Sequence, residues 1–149
     1  MATVIEIRDR FKNLLNSLGS IIVSTYKDTE KDAVKLQQDQ WDVGLRADGG
    51  QIGQYSDFTK SIKKRKGQET EFVTLQDSGA LIKSIKFTSI VEEYAEIDAT
   101  DGKRDKVVSG DNNYGEDIFG LMEQNTYEYA NDSWLKSFGN RLRKLIWRR

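Results

Sequence analysis

The opening forty residues constrain the fold more than any other stretch of this chain. Ile5, Ile7, Phe11, Leu14, Leu15, Leu18, Ile21, Ile22 and Tyr26 recur at three- and four-residue spacing, which puts them on one face of an α-helix. Gly19 interrupts the stripe at a helix cost of about 1 kcal/mol relative to alanine. The pattern therefore predicts one long helix, or two helices broken near Gly19. Past Tyr26 polar residues dominate, and only Ala33, Val34 and Leu36 keep a thinner stripe. The stripe is expected to be core, with an oligomer-forming helix as the alternative.

Three absences narrow the chemistry. The 149 residues contain no Cys, no His and no Pro. Without Cys there are no disulfides, thiolate nucleophiles or thiolate metal sites. Without His the commonest general base and transition-metal ligand are missing. Hydrolytic or redox chemistry would rest on Asp, Glu, Lys, Ser, Thr or Tyr alone, and no catalytic, cofactor or metal residues are assigned. The chain is 37% hydrophobic and 32% charged, with a formal net charge of −1. That balance suits an α+β domain that exposes much surface or completes its burial against neighbours. No apolar run approaches the roughly 18–20 residues that span a bilayer. The amino terminus lacks a charged-then-apolar signal pattern, so a protein made and used inside a cell, with no membrane partner, is expected.

The remaining chain divides by its turns. Asp48-Gly49-Gly50 and Gly53 mark a loop-rich excursion or short hairpin between Trp41 and Lys66. It ends in a basic helical segment (Lys60, Lys63, Lys64, Arg65, Lys66) that Ser56 or Asp57 can cap. Leu81, Ile82 and Ile85 have helical spacing after Asp77-Ser78-Gly79, predicting a short helix over about 78–84 with Asp77 or Ser78 as its cap. From Ser84 to Ala99 apolar and polar residues alternate, as in two strands joined by a turn near Glu92-Glu93. Residues 104–120 are polar and broken by Gly110, Gly115 and Gly120. A final helix is expected over 131–149, capped by Asn131, Asp132 or Ser133, with Trp134, Leu135, Phe138, Leu142, Leu145 and Ile146 on its apolar face. One α+β domain spans 1–149: a helical arm over 1–40, a core over 41–130 with the loop excursion and a small antiparallel β-hairpin, and a basic carboxy-terminal helix over 131–149.

Charge is unevenly spread. Between Glu92 and Asp132 twelve acids face three bases, a segment charge of −9. Asp98, Asp101 and Asp105 could hold a hard cation, but their spacing does not match the twelve-residue calcium loop, and a solvated acidic surface is the plainer reading. Gly49-Gly50-Gln51-Ile52-Gly53 lacks the Lys-Ser/Thr pair of a phosphate loop. From Lys136 to Arg149 there are six bases and no acid. Acidic middle and basic end are complementary, which suits packing within the monomer or head-to-tail packing of identical subunits in a closed ring. Arg141, Arg143, Lys144 and Arg148, with Trp134 and Trp147, are the candidate subunit-interface residues. Reversing charge at Arg141, Arg143 and Lys144 is expected to disrupt a ring and leave the monomer folded.

One stretch carries more than composition. Gly53-Gln54-Tyr55-Ser56-Asp57-Phe58-Thr59-Lys60…Lys63 is followed by Val73-Thr74-Leu75-Gln76-Asp77-Ser78-Gly79-Ala80-Leu81-Ile82-Lys83-Ser84-Ile85. Together they resemble phage virion-morphogenesis, tail-completion proteins, which show a Tyr/Leu-Ser-x-x-Thr-x-x-x-Lys element. A Leu-x-Asp-Ser/Thr-Gly-x-Leu-x-x-Ser-Ile element leading into a β-hairpin comes next. The resemblance covers roughly residues 41–98, and Tyr94-Ala95 falls where the family often has a Tyr-Ala. The family's Gly-Thr and Arg-Pro-Phe stretches are absent, and Phe119-Gly120 stands in their place. On the resemblance, Tyr55, Ser56, Thr59, Lys63, Leu75, Asp77, Ser78, Gly79 and Leu81 are structural: caps, a close approach at Gly79, and apolar anchors under the sheet.

The resemblance implies a virion structural protein, not an enzyme. It implies a homo-oligomeric ring at the head–tail junction, assembled in the host cytoplasm. Its neighbours would be a connector or portal-proximal protein above and a tail component below, with genomic DNA in the channel. Two rivals come from the residues themselves. One is a sequence-independent DNA-binding module using Lys60 to Lys66 and the last helix. The other is a small cation-dependent hydrolase using the acids from Asp98 to Asp105.

Overall fold

The computed structural model describes residues 3–109 and 114–147, apart from the side chain of Glu116. Helix α1 (Val4–Asp42) runs for 39 residues without a break, about 58 Å of rod. Its start is written into the sequence. Thr3 Oγ1 accepts the Glu6 N–H at 3.2 Å and Glu6 Oε2 accepts the Thr3 N–H at 2.7 Å, a reciprocal capping box. The Thr3 backbone N–H, then its hydroxyl, holds the Glu6 carboxyl below its ordinary value. Gly19 does not divide the helix. The Glu92 carboxylate lies against it instead, and a Cβ at Gly19 would sit 2.0 Å from Glu92 Oε1.

The two halves of α1 are used in the reverse of the expected way. Val4, Ile5, Phe11 and Leu15 are 83, 62, 59 and 69% exposed, so the first part of the apolar stripe is not core. The buried positions are Thr25, Thr29, Ala33, Gln37, Gln40 and Trp41. The neighbour of Gln37, Gln40 and Trp41 explains their polarity, while Thr25 and Thr29 turn their hydroxyls onto carbonyls of their own helix. This half packs on the irregular backbone around residues 117–122, whose carbonyls need donors once water is excluded. Trp41 Nε1 and Gln37 Nε2 both donate to Ile118 O, at 2.7 and 3.3 Å. Gln40 Nε2 donates to Gly120 O at 3.1 Å, while Gln40 Oε1 accepts the Met122 N–H at 2.9 Å. Side chains of α1 thus do for this loop what a sheet partner does elsewhere.

After the Leu45–Gln51 bridge comes α2 (Asp57–Arg65), then α3 (Ala80–Lys83). Strands β1 (Ile85–Ile90) and β2 (Ala95–Ala99) form an antiparallel hairpin closed by the Val91 N–H to Tyr94 O bond. Ile85 pairs Ala99 and Phe87 pairs Ile97, with a bulge before Ser89. Ile85, Phe87, Ile97 and Ala99 alternate inward to build the core, as the period of two predicts. Glu30 on α1 accepts the Phe87 N–H at 2.8 Å and so ties the hairpin to the long helix.

Helix α4 (Arg104–Val108) and a 3₁₀ turn over Glu116–Ile118 occupy the polar stretch. The last rod begins earlier than expected. Helix α5 (Glu123–Glu128) passes through a π-helical segment (Tyr129–Trp134) straight into α6 (Leu135–Ile146). Asn131 does not cap a helix here; its side chain donates to Tyr127 O, one turn back. The wider turn lets the Leu135 N–H reach Ala130 O. It also places buried Tyr129 and half-buried Trp134 against α1, where Tyr129 Oη meets Thr29 Oγ1 at 2.7 Å. Helix α6 then lies along α1, joined to it by Arg141 Nε donating to Asp28 Oδ2 at 3.0 Å. The mixed α+β class, the long first helix, the small hairpin and the basic last helix are as the sequence predicts.

Candidate functional site

All nine residues singled out by the two motif elements line one cleft of about 750 Å³. Tyr55, Ser56, Thr59 and Lys63 come from α2 and its lead-in; Leu75, Asp77, Ser78, Gly79 and Leu81 come from the segment that enters α3. Helical spacing sorts the basic run. Thr59, Ile62, Lys63 and Lys66 share the i, i+3, i+4, i+7 face that looks into the cleft, and Lys64 and Arg65 point to solvent.

The centre of the site is a buried lysine. Lys63 is 5% exposed, and its Nζ donates to Gln76 O at 2.6 Å while sitting 4.6 Å from the centre of the Tyr55 ring. One residue pair earlier in the wall, Tyr55 Oη accepts the Thr74 N–H at 3.1 Å. Between these two tethers Leu75 adopts φ +56°, the only positive value among described non-glycine residues. A left-handed leucine carries about 1–2 kcal/mol of strain. Tyr55 and Lys63 hold the residues on either side of it, Thr74 and Gln76, so the motif's Tyr and Lys brace a kink that Leu75 would not adopt unaided.

The other motif residues do similar work. Ser56 caps α2, its Oγ accepting the Thr59 N–H at 3.3 Å. Asp77 does not cap α3; it pairs with Lys66 at 2.9 Å. That hydrogen bond, then the Lys66 charge, holds the Asp77 carboxyl below its ordinary value. Ser78 Oγ accepts the Ala80 N–H weakly at 3.4 Å, and Gly79 itself occupies the cap position at φ +74°. A Cβ on Gly79 would meet only Lys83 Cε, at 3.9 Å. Its requirement is therefore the left-handed backbone and not the close packing expected of it. Leu81 is buried as predicted, and Leu75 is partly so. Lys103, Gln76 and Tyr114 complete the wall. Burial raises the Tyr114 phenol above its usual value. The sequence grouped Lys60, Lys63, Lys64, Arg65 and Lys66 on one basic face, whereas the structure divides them by helical phase, and the strain at Leu75 had no signal in the sequence.

The interface candidates separate. Trp134 stacks on Phe138 at 4.8 Å and packs against Tyr26 at 5.6 Å, inside the molecule. Arg141 is engaged with Asp28 and the Ser24 carbonyl. Arg143, Lys144 and Trp147 are exposed, and Arg148 lies outside the described residues. Asp98, Asp101 and Asp105 are taken up by donors of the chain itself: Arg104 Nε holds both Asp98 oxygens at 2.9 and 3.0 Å, Arg104 Nη1 reaches Asp105 Oδ1 at 3.4 Å, and Asp101 accepts the Lys103 N–H. Among the described residues no group of three acids is placed to hold a metal ion. No family model matches the chain, and neither curated proteins nor solved structures give a significant match.

Proposed function

We propose that the chain is a structural subunit of a tailed-phage virion, a neck or tail-completion protein that forms a ring at the head–tail junction. One observation carries the reading. The nine residues that make the resemblance, from two separate segments, converge on a single cleft, where the polar ones cap helices and tether backbone. A shared motif of this kind preserves a shape, which is what an assembly subunit needs. Exposed Arg143 and Lys144 on α6, with exposed Asp117, Glu123 and Glu128 elsewhere, supply complementary patches for neighbouring copies. The DNA-binding alternative has fewer cations to use, since Lys63 is turned inward and Lys66 and Arg141 are paired with acids.

Gold-labelled antibody against the protein, applied to tailed particles whose genome encodes it, tests the reading. Label at the head–tail junction is expected. Particles that carry no copy of the chain, by labelling and by mass spectrometry, would sink it.

A further inference from the structure

The motif cleft holds more positive charge than its own residues settle. Among the residues that line it, Lys63, Lys66 and Lys103 share a single acid, Asp77. Asp77 pairs with Lys66 at 2.9 Å, and neither Lys63 nor Lys103 has an ion pair among the described residues. The Lys103 and Lys63 charges add to that of Lys66 in holding the Asp77 carboxyl down, so all three ammoniums stand around one point. Lys63 Nζ gives one N–H to Gln76 O and faces the Tyr55 ring, which leaves one of its three donors for an acceptor. A charge as enclosed as Lys63, 5% exposed, is ordinarily matched by an opposite one. Tyr114 lines the same cleft, and its hydroxyl has no hydrogen-bond partner among the described residues. We propose that the cleft binds a side-chain carboxylate of an acidic peptide segment, with Lys63 and Lys103 as its cationic contacts and the Tyr114 hydroxyl as a further donor.

The shape of the cleft selects the carrier of that carboxylate. Lys63 sits below the rim, where one protruding side chain reaches it and the phosphates of a nucleic-acid strand, fixed along a continuous backbone, do not. The cations of α2 that a strand would touch, Lys64 and Arg65, are exposed and lie outside the cleft. Ile62, Val73, Leu81 and Val107 make much of the remaining wall apolar, which suits apolar residues on either side of the acid. The volume of about 750 Å³ lies within the range of sites that enclose a ligand, so a short stretch of extended chain has room there. The site works by the same contacts that brace Leu75: the Lys63 ammonium is already held at Gln76 O before any ligand arrives.

Binding of the full chain to an array of short peptides tests the site. Each peptide carries a central Glu or Asp between apolar residues and is paired with the same peptide carrying Gln or Asn. The best acidic peptides are expected to bind at least about tenfold tighter than their amides. Lys63→Met should erase that preference, so that acid and amide bind alike; a lysine that only braced the backbone would leave the ratio unchanged. Lys103→Gln, at the exposed rim and away from the Leu75 kink, should weaken the acidic peptides about 2–5-fold. Lys64→Gln makes the same change of charge on the solvent side and should leave their affinity as it is. Four outcomes overturn the proposal: no acidic peptide binds, acid and amide bind wild type alike, Lys64→Gln weakens binding as much as Lys103→Gln, or a single-stranded oligonucleotide binds more tightly than any of the peptides. The inference does not rest on the virion reading, because a chain absent from particles that still bound acidic peptides would keep this one and remove that one.

Discussion

Replacing Lys63 with methionine removes the centre of the motif cleft and keeps its aliphatic volume. The ammonium makes a 2.6 Å hydrogen bond to Gln76 O and lies over the Tyr55 ring. A charge-assisted bond contributes about 1.5–3 kcal/mol, and loss of the donor leaves a partly buried carbonyl without it. The ring contact adds about 0.5–1 kcal/mol. Against these stands the desolvation of a lysine that is 5% exposed, which the variant no longer bears. The balance is a loss of about 2 kcal/mol. At a urea m-value of about 2 kcal/mol/M the midpoint falls by about 1 M with m unchanged. Lys64→Met, one residue away on the solvent side, should move it by no more than about 0.25 M. Equal midpoints for the two variants, or a more stable Lys63→Met, would refute the idea that the lysine holds the kink at Leu75.

Two further predictions follow from single groups. Burial pushes the Tyr129 phenol up to about 12, with the Thr29 hydrogen bond opposing part of the rise. Because the folded state favours the neutral phenol, that stability is whole below pH about 10 and declines as pH rises towards 12. Tyr129→Phe should cost about 1 kcal/mol at neutral pH and flatten the alkaline unfolding curve followed by circular dichroism; an unchanged alkaline slope contradicts the assignment. Gly79→Ala should lower stability by about 1–2 kcal/mol from its backbone angle alone, since there is room for the methyl group. A thermal melt coincident with wild type would show that the left-handed cap is not required.

The hairpin and the Ser56 cap were legible because each rests on a local signal, alternation in one and a hydroxyl before a helix in the other; the cleft's residues were singled out only through the resemblance. What failed was non-local. Thr25, Thr29, Gln37 and Gln40 carry no apolar signal in the sequence, yet they are buried: the two glutamines donate to loop carbonyls about 80 residues away, and the two threonines turn their hydroxyls onto carbonyls of their own helix. Conversely, Phe11 and Leu15 read as core, and periodicity alone cannot say whether an apolar face meets its own chain. The start of the last rod was misplaced for a related reason. Asn131, Asp132 and Ser133 are good caps in isolation, but the backbone continues through them by widening a turn. Lys63 was visible as one charge in a basic run, and only its helical phase separated it from Lys64.

The unbroken course of α1 also sets a phase. The exposed first part of the apolar stripe and the buried half belong to one hydrogen-bonded ladder, with no proline or hinge between them. Each residue turns the helix by about 100°. One residue inserted or deleted between Leu18 and Thr25 would therefore swing the exposed stripe about a quarter-turn around the rod relative to the buried half. Three or four residues would nearly restore it, shifted along the axis by about 5 Å. Like the teeth of two gears cut on a common shaft, the outward face and the inward face of this helix keep their alignment only while the length between them is held.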